Sequence, residues 1–144
     1  MPYSTQTDLE DVFGRDNIRT WSNLDQNDET VDTARITKAI TWADRQIDNT
    51  FRRSKYAVPL ISVDGNDLVE VTDWSARLAG QWLKYSHAGG EIFDEDTDER
   101  TKRVRSLTHI VKQVVDEMRL YIGGQLDLPA TLIHTTPDVP MVGG

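Results

Sequence analysis

The sequence predicts an all-α protein: a small helical bundle of three long helices plus short N-terminal helices, with an extended loop and a C-terminal extended arm. Three observations predict it. Apolar residues recur at steps of three and four through residues 33–53, 68–86 and 97–122, the spacing that gathers side chains on one face of a helix. Asx-rich, proline-bearing and Gly-Gly stretches separate those segments, and such residues punctuate secondary structure. A chain of 144 residues has room for one domain and one hydrophobic core.

The first segment, Met1 to Phe13, reads as a short helix. Thr5 stands three residues before Asp8, close to a capping box, and Leu9, Val12 and Phe13 make the apolar stripe. Gly14 sits where a C′ glycine belongs. Asp16 is the expected cap of a second short turn through Asn17 to Trp21, burying Ile18 and Trp21. From Asn23 to Asp32 the chain is polar and rich in Asx, which invites a calcium reading. Counted from Asp25, the sixth position is Thr30 and the twelfth Ile36. The central glycine and the terminal glutamate of a calcium loop are both missing, so a solvated, helix-capping loop is expected.

Thr33 to about Arg53 is the clearest helix, with Ile36, Ile40, Ala43, Ile47 and Phe51 on one stripe and Ala39 beside them. Asp32 or Thr30 can cap it. Residues 54–67 break the period, and Tyr56 to Val63 reads as extended. Pro59 confines that segment to an edge or a loop. Leu68 to about Ser86 is the second long helix, with Leu68, Val71, Trp74, Ser75, Leu78, Trp82 and Tyr85 on one side and Gly89-Gly90 as its end. This aromatic stripe is expected in the core.

Asp94-Glu95-Asp96-Thr97-Asp98-Glu99 follows, then Arg100, Lys102, Arg103 and Arg105. Acids in a first turn suit the helix dipole, so the third long helix starts near Thr97 and ends at Gly123-Gly124. Val104, Leu107, Val111, Val114, Met118 and Ile122 mark its buried face. The block is ordinarily a solvated face. Its sharper reading is a head-to-tail contact between copies, through Asp94, Glu95, Asp96, Asp98, Glu99, Arg100, Arg103 and Arg105. Residues 1–124 thus form the helical domain. Residues 125–144 carry three prolines and two charges with apolar Leu126, Leu128, Leu132, Ile133, Val139 and Met141. An arm that docks on a partner explains this mixture; packing on its own domain explains it equally.

Composition narrows the function. No cysteine is present, which removes disulfides, thiol catalysis and zinc–thiolate or iron–sulfur sites. No apolar run reaches the roughly 20 residues that span a bilayer, and no secretory signal is expected from the first thirty residues. The net charge of −8 disfavours general nucleic-acid binding. With 17 Asp against 7 Glu and 11 Arg against 5 Lys, the chain is either a mildly acidic mesophilic protein or a halophilic one working in high salt. His87, His109 and His134 have no metal-ligand spacing, and no nucleophile elbow, P-loop or dinucleotide fingerprint occurs. No enzyme, cofactor or metal is expected.

Several short segments, in this order, resemble the tailed-phage head–tail connector (adaptor) family: Tyr3 to Leu9, Phe13-Gly14, the Asx-rich loop after Trp21, the helix ending near Ile47-Asp48, Tyr56-Ala57-Val58-Pro59-Leu60, and Ile122 to Leu128. Residues 65–71 and the run Asp94 to Glu99 depart from that pattern, and nothing past Leu128 matches it. The resemblance implies an all-α virion protein joined as a homo-oligomeric ring in the neck, between the portal and a tail-side neck or tail-completion protein. DNA would pass through it without sequence-specific binding. The arm would insert into the portal, and assembly would take place in the host cytoplasm. Two other classes stay open at this point: a small regulatory or scaffold-binding helical protein, and an acidic DNA mimic, which the spread of acids among bases disfavours.

Overall fold

The computed structural model describes residues 2–23, 30–65, 68–92 and 97–132, with side chains other than those of 88–92 and 97–108. Among the described residues five helices follow one another: α1 (Gln6–Phe13), α2 (Arg15–Ser22), α3 (Thr33–Phe51), α4 (Val69–Ile92) and α5 (Thr97–Ile122). Among the described residues extended structure is limited to two isolated antiparallel bridges, Tyr56 with Leu132 and Ser62 with Ala130. The all-α expectation holds.

Local chemistry sets the helix starts. Thr5 caps α1 in a full capping box with Asp8, so the helix begins at Gln6 and not at Met1. Gly14, at φ 93°, turns the chain directly into α2 and serves as its N-cap. A backbone φ in that range favours glycine. Asp16 therefore lies inside the first turn of α2 and pairs with Arg19 at 3.3 Å, where capping had been expected of it. Asp32 caps α3, accepting from the Arg35 amide at 3.1 Å. The calcium reading rested mainly on Asp25, Asn27, Asp28 and Glu29, which lie outside the described residues.

α3 follows its pattern closely: Ile36, Ala39, Ile40, Ala43, Ile47 and Phe51 are all buried. α4 departs in two ways. It continues through Gly89-Gly90 to Ile92, because extending an existing helix through a glycine costs only about 1 kcal/mol. It is also buried on more than one side. Trp74, Ser75 and Ala76 are consecutive and buried, as are Leu78, Ala79 and Gly80, while Trp82 and Tyr85 are only half-buried. A helix apolar around most of its girth is a central helix, and α4 packs on each of the other four.

Trp74 joins three helices. Its ring stacks on Phe51 of α3 at 5.9 Å and meets Tyr121 of α5 edge-on at 5.3 Å. Beside it, Arg77 of α4 grips Glu117 of α5 with two nitrogens, at 2.9 and 3.0 Å. Those hydrogen bonds hold the Glu117 carboxyl below its ordinary pKa and raise that of Arg77. On the opposite side α1 approaches closely. A Cβ built at Gly80 would fall 2.0 Å from the Phe13 ring, which itself meets Trp21 of α2 edge-on at 5.6 Å. Val12, expected in the stripe of α1, is instead 46% exposed.

Two stability predictions follow from these contacts. Gly80→Ala should cost about 1–3 kcal/mol by overpacking, reversing the gain of about 1 kcal/mol usual for such a change in a helix; urea titration of the two chains reads the sign. For the Arg77–Glu117 pair, a depressed folded-state pKa means the contribution is present above the unfolded carboxyl value of roughly 4.3. It is lost as the pH falls through the lower folded value. Glu117→Gln should therefore lose less stability than the native chain between about pH 6 and about pH 3, compared by urea midpoints at each pH.

Candidate interaction surface

The loop at residues 54–65 and the chain after α5 meet as a short antiparallel ribbon. Ser54 starts the loop by donating its hydroxyl to the Phe51 carbonyl at 2.7 Å and accepting from the Tyr56 amide at 3.1 Å. Tyr56 turns inward, 1% exposed, with its ring edge-on to Phe51 at 5.6 Å. At the far end of that ring the hydroxyl accepts the Leu128 amide at 3.0 Å. The Val58-Pro59 peptide is cis. Past α5, Gly124 at φ 88° reverses the chain. Residues 126–132 then run back along the loop, with Val63 donating to Pro129, Thr131 to Ile61 and Ala57 to Thr131, all at 2.8–2.9 Å. Lys55 and Asp127 add an exposed ion pair at 3.2 Å, a contact worth little by itself.

The loop is fixed from below by the N-terminal segment. The Tyr3 hydroxyl accepts the Leu60 amide at 2.8 Å and donates to Asp48 at 2.5 Å, while the Tyr3 amide donates to Asp44 at 3.0 Å. Ser75 gives its proton to the other oxygen of Asp44 at 2.6 Å. In the 2.6 Å contact between Ser4 and Ser75, Ser4 is therefore the donor. Burial raises the pKa of the Asp44 carboxyl, against the pull of the Ser75 and Tyr3 hydrogen bonds. Burial, then the bond to Asp48, pushes the Tyr3 phenol well above its ordinary value.

This arrangement sorts the arm residues. Leu128 and Ala130 are 5% and 4% exposed, inside the core of residues 1–124. Leu128, expected to reach a partner, is consumed by its own domain because the Tyr56 hydroxyl holds its backbone there. Leu126 and Leu132 are 46% and 37% exposed. Ile133, Val139 and Met141 lie outside the described residues. Across the ribbon, Ile61 and Val63 are 59% and 62% exposed. Four large apolar side chains are thus partly exposed on two hydrogen-bonded segments. Sequence reading identified the leucines but missed Ile61 and Val63. Their signal was alternation with Leu60 and Ser62, visible only once one face is known to be buried.

Of the proposed copy-to-copy residues, Asp94, Glu95 and Asp96 lie outside the described residues. Asp98, Glu99, Arg100, Arg103 and Arg105 fall on the first turns of α5, with side chains outside the description. His109 is exposed, as its position off the stripe implied. A second surface was not anticipated: Arg35, Lys38, Trp42 and Arg45 of α3 line a cleft of about 520 Å³ with Trp82 and Ser86 of α4. No described helix is long and apolar enough to cross a membrane.

Tyr3→Phe removes the acceptor for the Leu60 amide and the donor to Asp48, so it should cost about 1–3 kcal/mol and speed amide exchange at Leu60. Unchanged exchange at Leu60 in the variant would mean that the loop holds its shape without Tyr3.

A family model described as Bacteriophage Mu, Gp36 matches residues 3–117. The match begins at Tyr3, contains both ends of the Tyr3, Asp44 and Ser75 network, and stops before the arm. No curated protein and no solved structure matches the chain.

Proposed function

Starting from a chain that belongs to the bacteriophage Mu Gp36 family, we propose that it is a structural virion protein: a head–tail adaptor that forms a ring in the neck, between the portal and the tail. It is a phage protein; the finer assignment rests on one observation. The ribbon of loop and arm offers Ile61, Val63, Leu126 and Leu132 to solvent at a place held firmly by Tyr3 and Tyr56. Exposed apolar side chains on a pinned ribbon suit a protein partner, since little ordering remains to be done on binding. The sequence continues past Leu132 with apolar Ile133, Val139 and Met141, candidates for the same portal contact.

The other requirements of an adaptor are compatible with the sequence. A ring needs a heterologous self-contact, for which the acid-then-base block at residues 94–105 is a candidate. The net charge of −8 keeps DNA from adhering as it passes. In this reading the protein catalyses nothing and carries no cofactor. It is assembled in the host cytoplasm and binds the portal on one side and a tail-side neck protein on the other.

Quantitative mass spectrometry of purified full particles tests the proposal. About one copy per portal subunit, or another simple symmetric ratio, is expected. Absence of the chain alongside a normal portal signal would leave a regulatory or scaffold-binding protein as the better reading. The arm is tested separately by Leu126→Asp and Leu132→Asp, which alter exposed positions and leave Leu128 in place. Each should lower portal binding about tenfold with the thermal midpoint unchanged.

A further inference from the structure

Building on the ring reading, we propose that the cleft between α3 and α4 is the receiving half of the contact between copies, and that the acidic segment Asp94–Glu99 of a second copy fills it. Arg35, Lys38, Trp42 and Arg45 succeed one another at steps of three, four and three, so they form one stripe on α3. The stripe points away from the buried Ile36, Ile40 and Ile47. Trp82 and Ser86 of α4 close the cleft, and no carboxylate lines it.

Lys38 and Arg45 are exposed and pair with no acid among the described residues. Arg35 is held against α4, with its guanidinium carbon 4.9 Å from the Trp82 ring centre and Nη2 donating to the Ser86 hydroxyl. Its Nε is buried without a partner, and burial lowers its pKa against the pull of the Asp32 carboxylate. Three cations around one cleft repel each other until a carboxylate enters. Arginine forks carboxylates with two parallel hydrogen bonds, and Trp and Arg are the residues that concentrate binding energy at protein interfaces.

Charge arithmetic identifies the occupant. Residues 33–55 hold six bases and two acids, a net of +4 in a chain of −8, which leaves −12 on the remainder. The densest part of that remainder is Asp94 to Glu99, five acids in six residues. Nucleic acid is disfavoured as the occupant because the remainder repels phosphate at long range.

Asp44 meets Ser75 while Arg35 meets Ser86, so α3 and α4 run antiparallel. Arg45 lies ten residues, about 15 Å, along α3 from Arg35. In the other direction α4 continues from Ser86 to Ile92, another ~9 Å. α4 thus leads away from Arg45, and in the proposed contact a neighbour presents its acidic segment there. Cleft and segment belong to different parts of the chain, so in the ring reading the contact is heterologous and repeats head to tail until it closes.

The test replaces Arg45 with p-benzoylphenylalanine in the full-length chain. Particles are assembled from an equal mixture of ¹⁴N and ¹⁵N copies, purified and irradiated. The expected result is a mixed-isotope cross-link from position 45 to a peptide containing Asp94–Glu99. Cross-links within one copy, to the portal, to a tail protein or to DNA, or none from a chain present at normal abundance, would overturn the cleft assignment while leaving the ring intact. A chain missing from particles that assemble without replacement at Arg45 would overturn both. Charge exchange gives a second readout. Lys38→Glu with Arg45→Glu should lower incorporation at least about tenfold, with an unchanged thermal midpoint because both positions are exposed. Adding Asp94→Lys, Asp96→Lys and Asp98→Lys to the same chain should restore it, and no restoration would refute the pairing.

Discussion

The packing of α4 on all four other helices is the constraint on which the rest of the fold depends. A helix buried around most of its girth must present a different side-chain size to each neighbour. Toward α3 and α5 it presents Trp74, a large ring filled in by Phe51 and Tyr121. Toward α1 it presents Gly80, which leaves room for the Phe13 ring and nothing more. Large and small faces on one helix set the distances at which the neighbours settle. The short helices α1 and α2 have few residues to stabilise themselves, so their order is borrowed from this contact.

Polar groups near that core decide where the ribbon sits. The Tyr3 hydroxyl bridges Asp48 of α3 and the amide of Leu60, and the Tyr56 hydroxyl holds the amide of Leu128. Two phenols from different parts of the chain thus satisfy backbone donors of two segments that have no sheet to join. Buried amides left without such partners would cost more than the bonds themselves contribute. The N-terminal residues, the loop and the returning arm are consequently one mechanical unit, although they are far apart in sequence.

Charge is divided on the same principle of separated duties. Inside the domain, Arg77 and Glu117 join α4 to α5 with matched partners. On the outer side of α3, cations stand without carboxylates in a chain that is acidic elsewhere. Surface pairs contribute little to stability in isolation, so this imbalance costs the monomer little. In the proposed ring its effect falls on association, where complementary potentials choose partner and orientation.

The sequence by itself determined the helices and their stops in most places. The six buried residues of α3 were legible from spacing alone, as were the Thr5 and Asp32 caps and the start of α5 at Thr97, because each depends on neighbours within one turn. The end of α4 was misread at Gly89-Gly90, where a weak local preference was overruled by an already formed helix. Only the tertiary structure decided that α4 is central, that Leu128 belongs to the core while Leu126 and Leu132 do not, and that Arg35, Lys38 and Arg45 share a cleft with Trp82. A period of 3.6 residues reports that a face is buried but not how many helices bury it. Contacts such as Tyr56 with Leu128 join residues 72 apart, and no local pattern records a hydrogen bond made at that separation.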